Sequence, residues 1–160
     1  MVDTSALTAV VLGEAVSDAC IGVLEAENEV LISTGTMAEA LIVAGRRNVA
    51  QEMASLIDGL GLNIVTVSRA FARQVAEAYA QWGKGIHPAG LNFGECFSYA
   101  LAKEPSCRLL FVGDDFSKTD LEGVLQLASS FTQWASAQRQ IDEMVHPSHN
   151  QGRLMAADPA

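Results

Sequence analysis

Short apolar runs separated by helical segments constrain this chain more than any other feature. Residues 29–33, 62–67 and 108–112 are compact runs rich in Val, Ile and Leu, suited to buried strands. A brief apolar start at Val2, directly before Asp3, supplies a further strand. Between the runs, apolar residues recur at helical spacing. Helices are predicted from Ala6 to Leu12, from Glu14 to about Ala26, from Thr36 to near Gly45, and from a cap at Asn48 through Met53 and Leu60. Others follow from Ser68 to about Trp82, over Glu95–Lys103, and from Thr119 to about Met144, while the glycine-rich stretch 83–94 reads as a functional loop. Parallel strands need long crossover connections, usually helices, so this alternation predicts an α/β fold with a parallel sheet.

The 160 residues, 49% hydrophobic and 18% charged, suffice for a buried core without staples and exclude a disordered chain. Cys20, Cys96 and Cys107 form no CxxC pattern and read as small buried hydrophobes of a reducing compartment. The start lacks a basic leader, and the apolar stretch from Ala6 to Leu12 is far below the roughly 20 residues that span a bilayer. A cytoplasmic protein without a membrane segment is therefore expected. The net charge of −9 opposes nucleic-acid binding, unless acids converge on cations that reverse the local field.

Position favours such convergence. Asp3 follows the first strand, Glu39 lies in the first turn of the helix after the second, and Asp114 and Asp115 follow the last. Glu95 opens the helix before that last strand, where the helix dipole favours an anion. Ligands of parallel α/β sheets bind beyond the carboxyl ends of the strands, and oxygen-only donor sets suit Mg²⁺ or Mn²⁺. A cation held there activates water for attack on a phosphodiester. Plainer readings stay open: Glu39 as half of a capping box with Thr36, Glu95 as a first-turn acid, and Asp114–Asp115 as a solvated turn.

The segments MVDTSAL (1–7), Ala38 to Ala40, GKGIHPAGLNFGECFSYALA (83–102) and LLFVGDDFSKTD (109–120) resemble the PIN-domain family, and more narrowly the VapC toxins of bacterial toxin–antitoxin pairs. The resemblance spans about residues 1–121. It implies a three-layer α/β fold with a central, mostly parallel sheet flanked by helices. It implies a Mg²⁺- or Mn²⁺-dependent endoribonuclease acting on structured RNA of the tRNA or rRNA class. A homodimer neutralised by a cognate VapB-type antitoxin is implied as well. Carried over by motif, Asp3, Glu39, Glu95 and Asp114 are the catalytic metal ligands, supported by Thr4, Ser5 and Asp115, with Asp114 preferred to Asp115 for its place at the strand end.

Two departures stand out. Glu95 occupies a position where the family usually has aspartate, which lengthens the reach of the carboxylate. It keeps alive the alternative of a catalytically weakened PIN-like domain that only binds RNA or protein. A third class, a flavodoxin-like phosphoacceptor domain, is disfavoured because the chain shows no lysine after a late strand and its acids start directly at residue 3. Beyond the familiar region, 122–145 reads as an added C-terminal helix (Val124, Leu127, Phe131, Trp134, Ile141) and 146–160 as a disordered tail, where His146 and His149 are unconvincing as metal ligands. Candidate cations for RNA are Arg46, Arg47, Lys84, His87 and Lys118.

Overall fold

Parallel backbone pairing organises the chain. In the computed structural model, which describes residues 1–103, 107–121 and 124, the elements are α1 (Thr4–Val11), α2 (Ser17–Ala26), β1 (Leu31–Ser33), α3 (Thr34–Arg46), α4 (Ala50–Gly59), β2 (Asn63–Val65), α5 (Arg69–Trp82) and α6 (Phe93–Ala102). A 3-10 turn follows at Phe116–Lys118. Strand β1 pairs in parallel with β2, Ile32 opposite Ile64. The N-terminus runs beside β1, Val2 N donating to Leu31 O, and also beside the Leu109–Leu110 segment, Asp3 N donating to Leu110 O and Leu110 N to Met1 O. The regular strands are shorter than the apolar runs, because side chains take over the pairing: Val67 N already donates to Thr34 Oγ1.

Side chains alternate across a strand, and here each face meets its own core. Leu31, Leu109 and Phe111 pack with Phe71 and Val75 of α5 and Leu101 of α6. Val2, Ile32 and Leu110 pack instead with Leu7, Leu24, Ala40, Met53 and Ile57 of α1 to α4. Helices thus cover both faces, as the α/β expectation required. Cys20 and Cys96 are buried and Cys107 half-buried, all three as free thiols. Among the described residues no helix is long and apolar enough to cross a membrane.

Several helix starts differ from the sequence pattern. Helix α3 is capped by Ser33, not Thr36: extended backbone at Ser33 lets its Oγ accept from Thr36 N. Glu39 therefore sits beyond the first turn and belongs to no capping box. Asn48 does not cap α4; it adopts φ 59° after α3, and Val49 precedes α4 without a side-chain cap. Helix α2 begins at Ser17 because Gly13, at φ 60°, turns the chain after α1. Helix α6 begins at Phe93, before Glu95, with Asn92 as its cap. The expected extension helix (122–145) and tail (146–160), with His146 and His149, fall outside the described residues apart from Val124, whose N donates to Leu109 O.

Helices α3 and α6 approach closely where a side chain is missing. A Cβ on Gly35 would collide with the ring of Phe97, so glycine there is a packing requirement. Gly35→Ala should destabilise the protein by about 1–3 kcal/mol, the usual cost of overpacking a filled contact, as measured by chemical denaturation.

Candidate active site

The first helix starts at its most consequential residue. Asp3 caps α1, its Oδ2 accepting from Ser5 N at 2.9 Å and from Ser5 Oγ at 2.6 Å. Its side chain is only 2% exposed. The other oxygen, Oδ1, accepts from Ser98 Oγ of α6 at 2.6 Å. Behind Ser98 the hydroxyls continue, Ser98 Oγ to Thr36 Oγ1 at 3.3 Å and Thr36 Oγ1 to Ser33 Oγ at 2.9 Å. Each hydroxyl has one proton. Since Ser98 spends its proton on Asp3, Thr36 donates to Ser98 and Ser33 to Thr36, so the whole chain points at the carboxylate. Ser33, Thr36 and Ser98 are fully buried, leaving water no part in this direction.

Glu39 projects from α3 to the same place. Its Oε2 accepts from Thr4 Oγ1 at 2.8 Å. A Cβ on Gly94 would collide with the Glu39 carboxylate. The start of α6 is thus a cradle that the carboxylate would have to leave if Gly94 carried a side chain. Burial, helped by the charge of Asp3 and opposed by the Thr4 hydroxyl, raises the pKa of Glu39.

Glu95 closes the third side in a dual role. It forms a reciprocal capping box, Glu95 N donating to Asn92 Oδ1 at 3.0 Å and Asn92 N donating to Glu95 Oε2 at 2.7 Å. Burial pushes its pKa up to about 7. The bond from the Asn92 backbone opposes that rise, and the charges of Asp115, Asp3 and Glu39 add to it.

Asp3, Glu39 and Glu95 line one cleft of about 290 Å³, together with Thr4, Ser5, Thr8, Glu14, Val43, Arg47, Asn92 and Val112. The acids from three distant parts of the chain are therefore brought together. Asp114 and Asp115 are exposed and do not line the cleft. Asp115 is the one whose charge acts on Glu95, while the Asp114 carbonyl accepts from Ser117 Oγ. Of the candidate cations only Arg47 lines the cleft. The His87 ring packs against Trp82 at 4.5 Å and its Nδ1 accepts from Ala89 N, a role in shaping the loop. Ser33, Thr36 and Ser98 were not legible as site residues; their role depends on α6 crossing behind Asp3, which no local pattern encodes.

The donor set is all oxygen, the chemistry preferred by Mg²⁺ and Mn²⁺, and the Gly94 cradle keeps a carboxylate where a side chain would otherwise fill the space. Among the described residues no three acidic, His or Cys side chains form a ready-made cation cage. One oxygen of Glu95, Oε2, is turned back into its capping box.

The raised acids predict a pH signature for the metal-free protein. A carboxyl whose folded pKa lies above its unfolded value stabilises the fold at low pH. That stabilisation is lost as pH rises through the folded pKa. Thermal stability without divalent cations should therefore fall between about pH 4.5 and 7, and Glu95→Gln should flatten the decline in a melting series across that range.

The PIN domain family profile matches residues 1–122. Ribonuclease VapC42 of Mycobacterium tuberculosis is 37% identical over 125 residues, covering 76% of this chain and 95% of that protein. Ribonuclease VapC30 of the same species is 37% identical over 127 residues, with 78% and 97% covered. The crystal structure of Mycobacterium tuberculosis VapC20, described as a sarcin–ricin loop cleaving toxin, superposes with a TM-score of 0.63 at 18% identity over 77% of this chain and 96% of VapC20.

Proposed function

The chain belongs to the PIN-domain family, with VapC ribonucleases as its relatives, and from that premise we propose that it is a divalent-metal-dependent endoribonuclease toxin acting on structured RNA of the tRNA or rRNA class. The observation that carries the mechanism is the buried Asp3 carboxylate, held by three donors beside Glu39 and Glu95 in one cleft. Asp3 and Glu39 would hold Mg²⁺ or Mn²⁺, with Glu95 joining them once its carboxylate leaves the capping box. A bound cation of this kind supplies Lewis acidity toward phosphate oxygens and a water acidic enough to attack.

The protein's own contribution is orientation. Ser5 and Ser98 fix both oxygens of Asp3, and Thr4 fixes Glu39, so neither carboxylate spends rotational freedom on ligation. Glu95, with a pKa of about 7, changes protonation near neutrality, so its release from Asn92 is coupled to pH. We assign the last acid to Asp115 in place of Asp114, because Asp115 is the one electrostatically in touch with Glu95. As in the VapC systems, a VapB-type antitoxin is the expected inhibitor and a homodimer the expected assembly, in the cytoplasm.

The tie between Glu95 and Asn92 is also what favours the second reading, a weakened domain that binds RNA or protein without cutting. Cleavage of a structured RNA should require Mg²⁺ or Mn²⁺ and stop with EDTA, and Asp3→Asn should bring it below detection; metal-independent cutting, or full activity in Asp3→Asn, contradicts the assignment. Glu95→Asp, which shortens the reach of the side chain, should retain or raise activity. If neither form binds metal or cuts any RNA, the binding reading stands instead.

A further inference from the structure

Phe93 is the most exposed large apolar side chain among the described residues, at 69%. It belongs to the turn of α6 that borders the cleft: Asn92 and Glu95, on either side of it in the chain, line that cleft. The next residue, Gly94, lies under the Glu39 carboxylate. The contact between α3 and α6 fixes the level at which Phe93 emerges. Gly35 faces Phe97 and, about one turn further along α3, Glu39 faces Gly94. The two helices therefore pass in opposite senses, and Phe93, one residue before Gly94, comes out level with Glu39 at the rim of the cleft.

The ring is mounted from below. It stands nearly perpendicular to Phe97 at 5.0 Å between centroids, and Phe97 in turn lies 6.4 Å from the Phe71 ring of α5 while filling the space that Gly35 leaves. Aromatic pairs attract in such tilted and edge-to-face arrangements, so the outermost ring is held in place while most of its surface stays in water. Apolar surface left in water contributes nothing to the fold. Charge indicates what would cover it. The adjoining cleft is lined by Asp3, Glu14, Glu39 and Glu95 against Arg47 alone, so phosphate contacts there can supply little of an RNA's affinity. Bases are the uncharged part of the strand, and an aromatic ring accepts the face of any of them.

We propose that Phe93 is a stacking platform for an unpaired base of the RNA, from a nucleotide beside the bond that is cut. The base lies on the exposed ring at the rim, and its backbone turns from there past Glu39 into the cleft. The platform rests on the nuclease reading and deepens it. It admits only a strand whose bases are free, because a base inside a duplex has both faces covered. It also adds affinity that neither salt nor the acids of the cleft diminish.

The test is binding of a fluorescein-labelled single-stranded oligoribonucleotide, followed by anisotropy, to the full chain carrying Asp3→Asn to prevent cutting. Added Phe93→Ala should weaken binding about tenfold, with the slope of log K against log salt unchanged because no phosphate contact is lost. Phe93→Trp should restore binding, and Phe93→Leu, apolar but without a ring, should not. The melting temperature should hold in all three, since the side chain is exposed. Affinity unchanged in Phe93→Ala, or recovered in Phe93→Leu, in a parent that binds the probe, overturns the platform and leaves the nuclease reading standing. Ile42, two turns beyond Gly35 on α3 and 60% exposed, separates the platform from a contact between copies of the chain. If Ile42→Ser and Phe93→Ala both dissociate a dimer in sedimentation velocity, the ring belongs to that contact and the platform is overturned. A parent that binds no RNA overturns it too, whereas the nuclease reading falls only if the intact protein with Mn²⁺ leaves structured RNA uncut.

Discussion

Burial of the Asp3 carboxylate is the constraint around which the other parts of this molecule are placed. Removing an ionised group from water costs several kcal/mol unless hydrogen bonds replace the lost hydration. At 2% exposure, Asp3 obtains them from Ser5 on its own helix and Ser98 on α6. Each donor is itself fixed by another element. Ser5 Oγ accepts from Val112 N, beyond the last paired segment, and Ser98 is backed by Thr36 and Ser33 at the β1–α3 junction. One carboxylate thereby ties together the N-terminal strand, α1, α3, α6 and the 109–112 segment. A domain assembled this way presents its reactive oxygens already aimed.

As the proposed nuclease, a chain with a net charge of −9 must take a polyanion as substrate. Glu39 and Glu95 are pushed toward their protonated forms by burial, with the charge of Asp3 acting on both and those of Asp115 and Glu39 on Glu95. The proposed divalent cation would relieve that repulsion and reverse the sign of the field at the mouth of the cleft. Gly94 keeps the space for Glu39 open, and Gly35 lets α3 lie close enough to α6 for Thr36 to reach Ser98. The packing of two helices through missing side chains and the charge state of the site are parts of one design.

Much of this was legible in the chain itself. The apolar runs and helical periods yielded the parallel α/β order, and the acids at strand ends pointed to Asp3, Glu39 and Glu95 as neighbours. What misled was local chemistry with two solutions. Thr36 and Glu39 have capping-box spacing, yet Ser33 takes the cap because the strand ends there, which frees Glu39 for Thr4. The box occurs instead at Asn92 and Glu95. The choice between Asp114 and Asp115 stays a proposal: both are exposed and outside the cleft, and the charge of Asp115 is the one that bears on Glu95. Ser98 carried no signal at all, since a serine in an apolar helix acquires meaning only from what crosses behind it.

If the oriented Asp3 carboxylate forms the core of a cation site, Mn²⁺ alone should bind to it, which titration calorimetry at neutral pH measures. Saturable binding is predicted for the intact protein, lost in Asp3→Asn and weakened about 10- to 100-fold in Ser98→Ala, as expected when a group that orients a ligand is removed. Absence of saturable binding to the intact protein, or affinity unchanged in Asp3→Asn, would rule out a cation site built on Asp3.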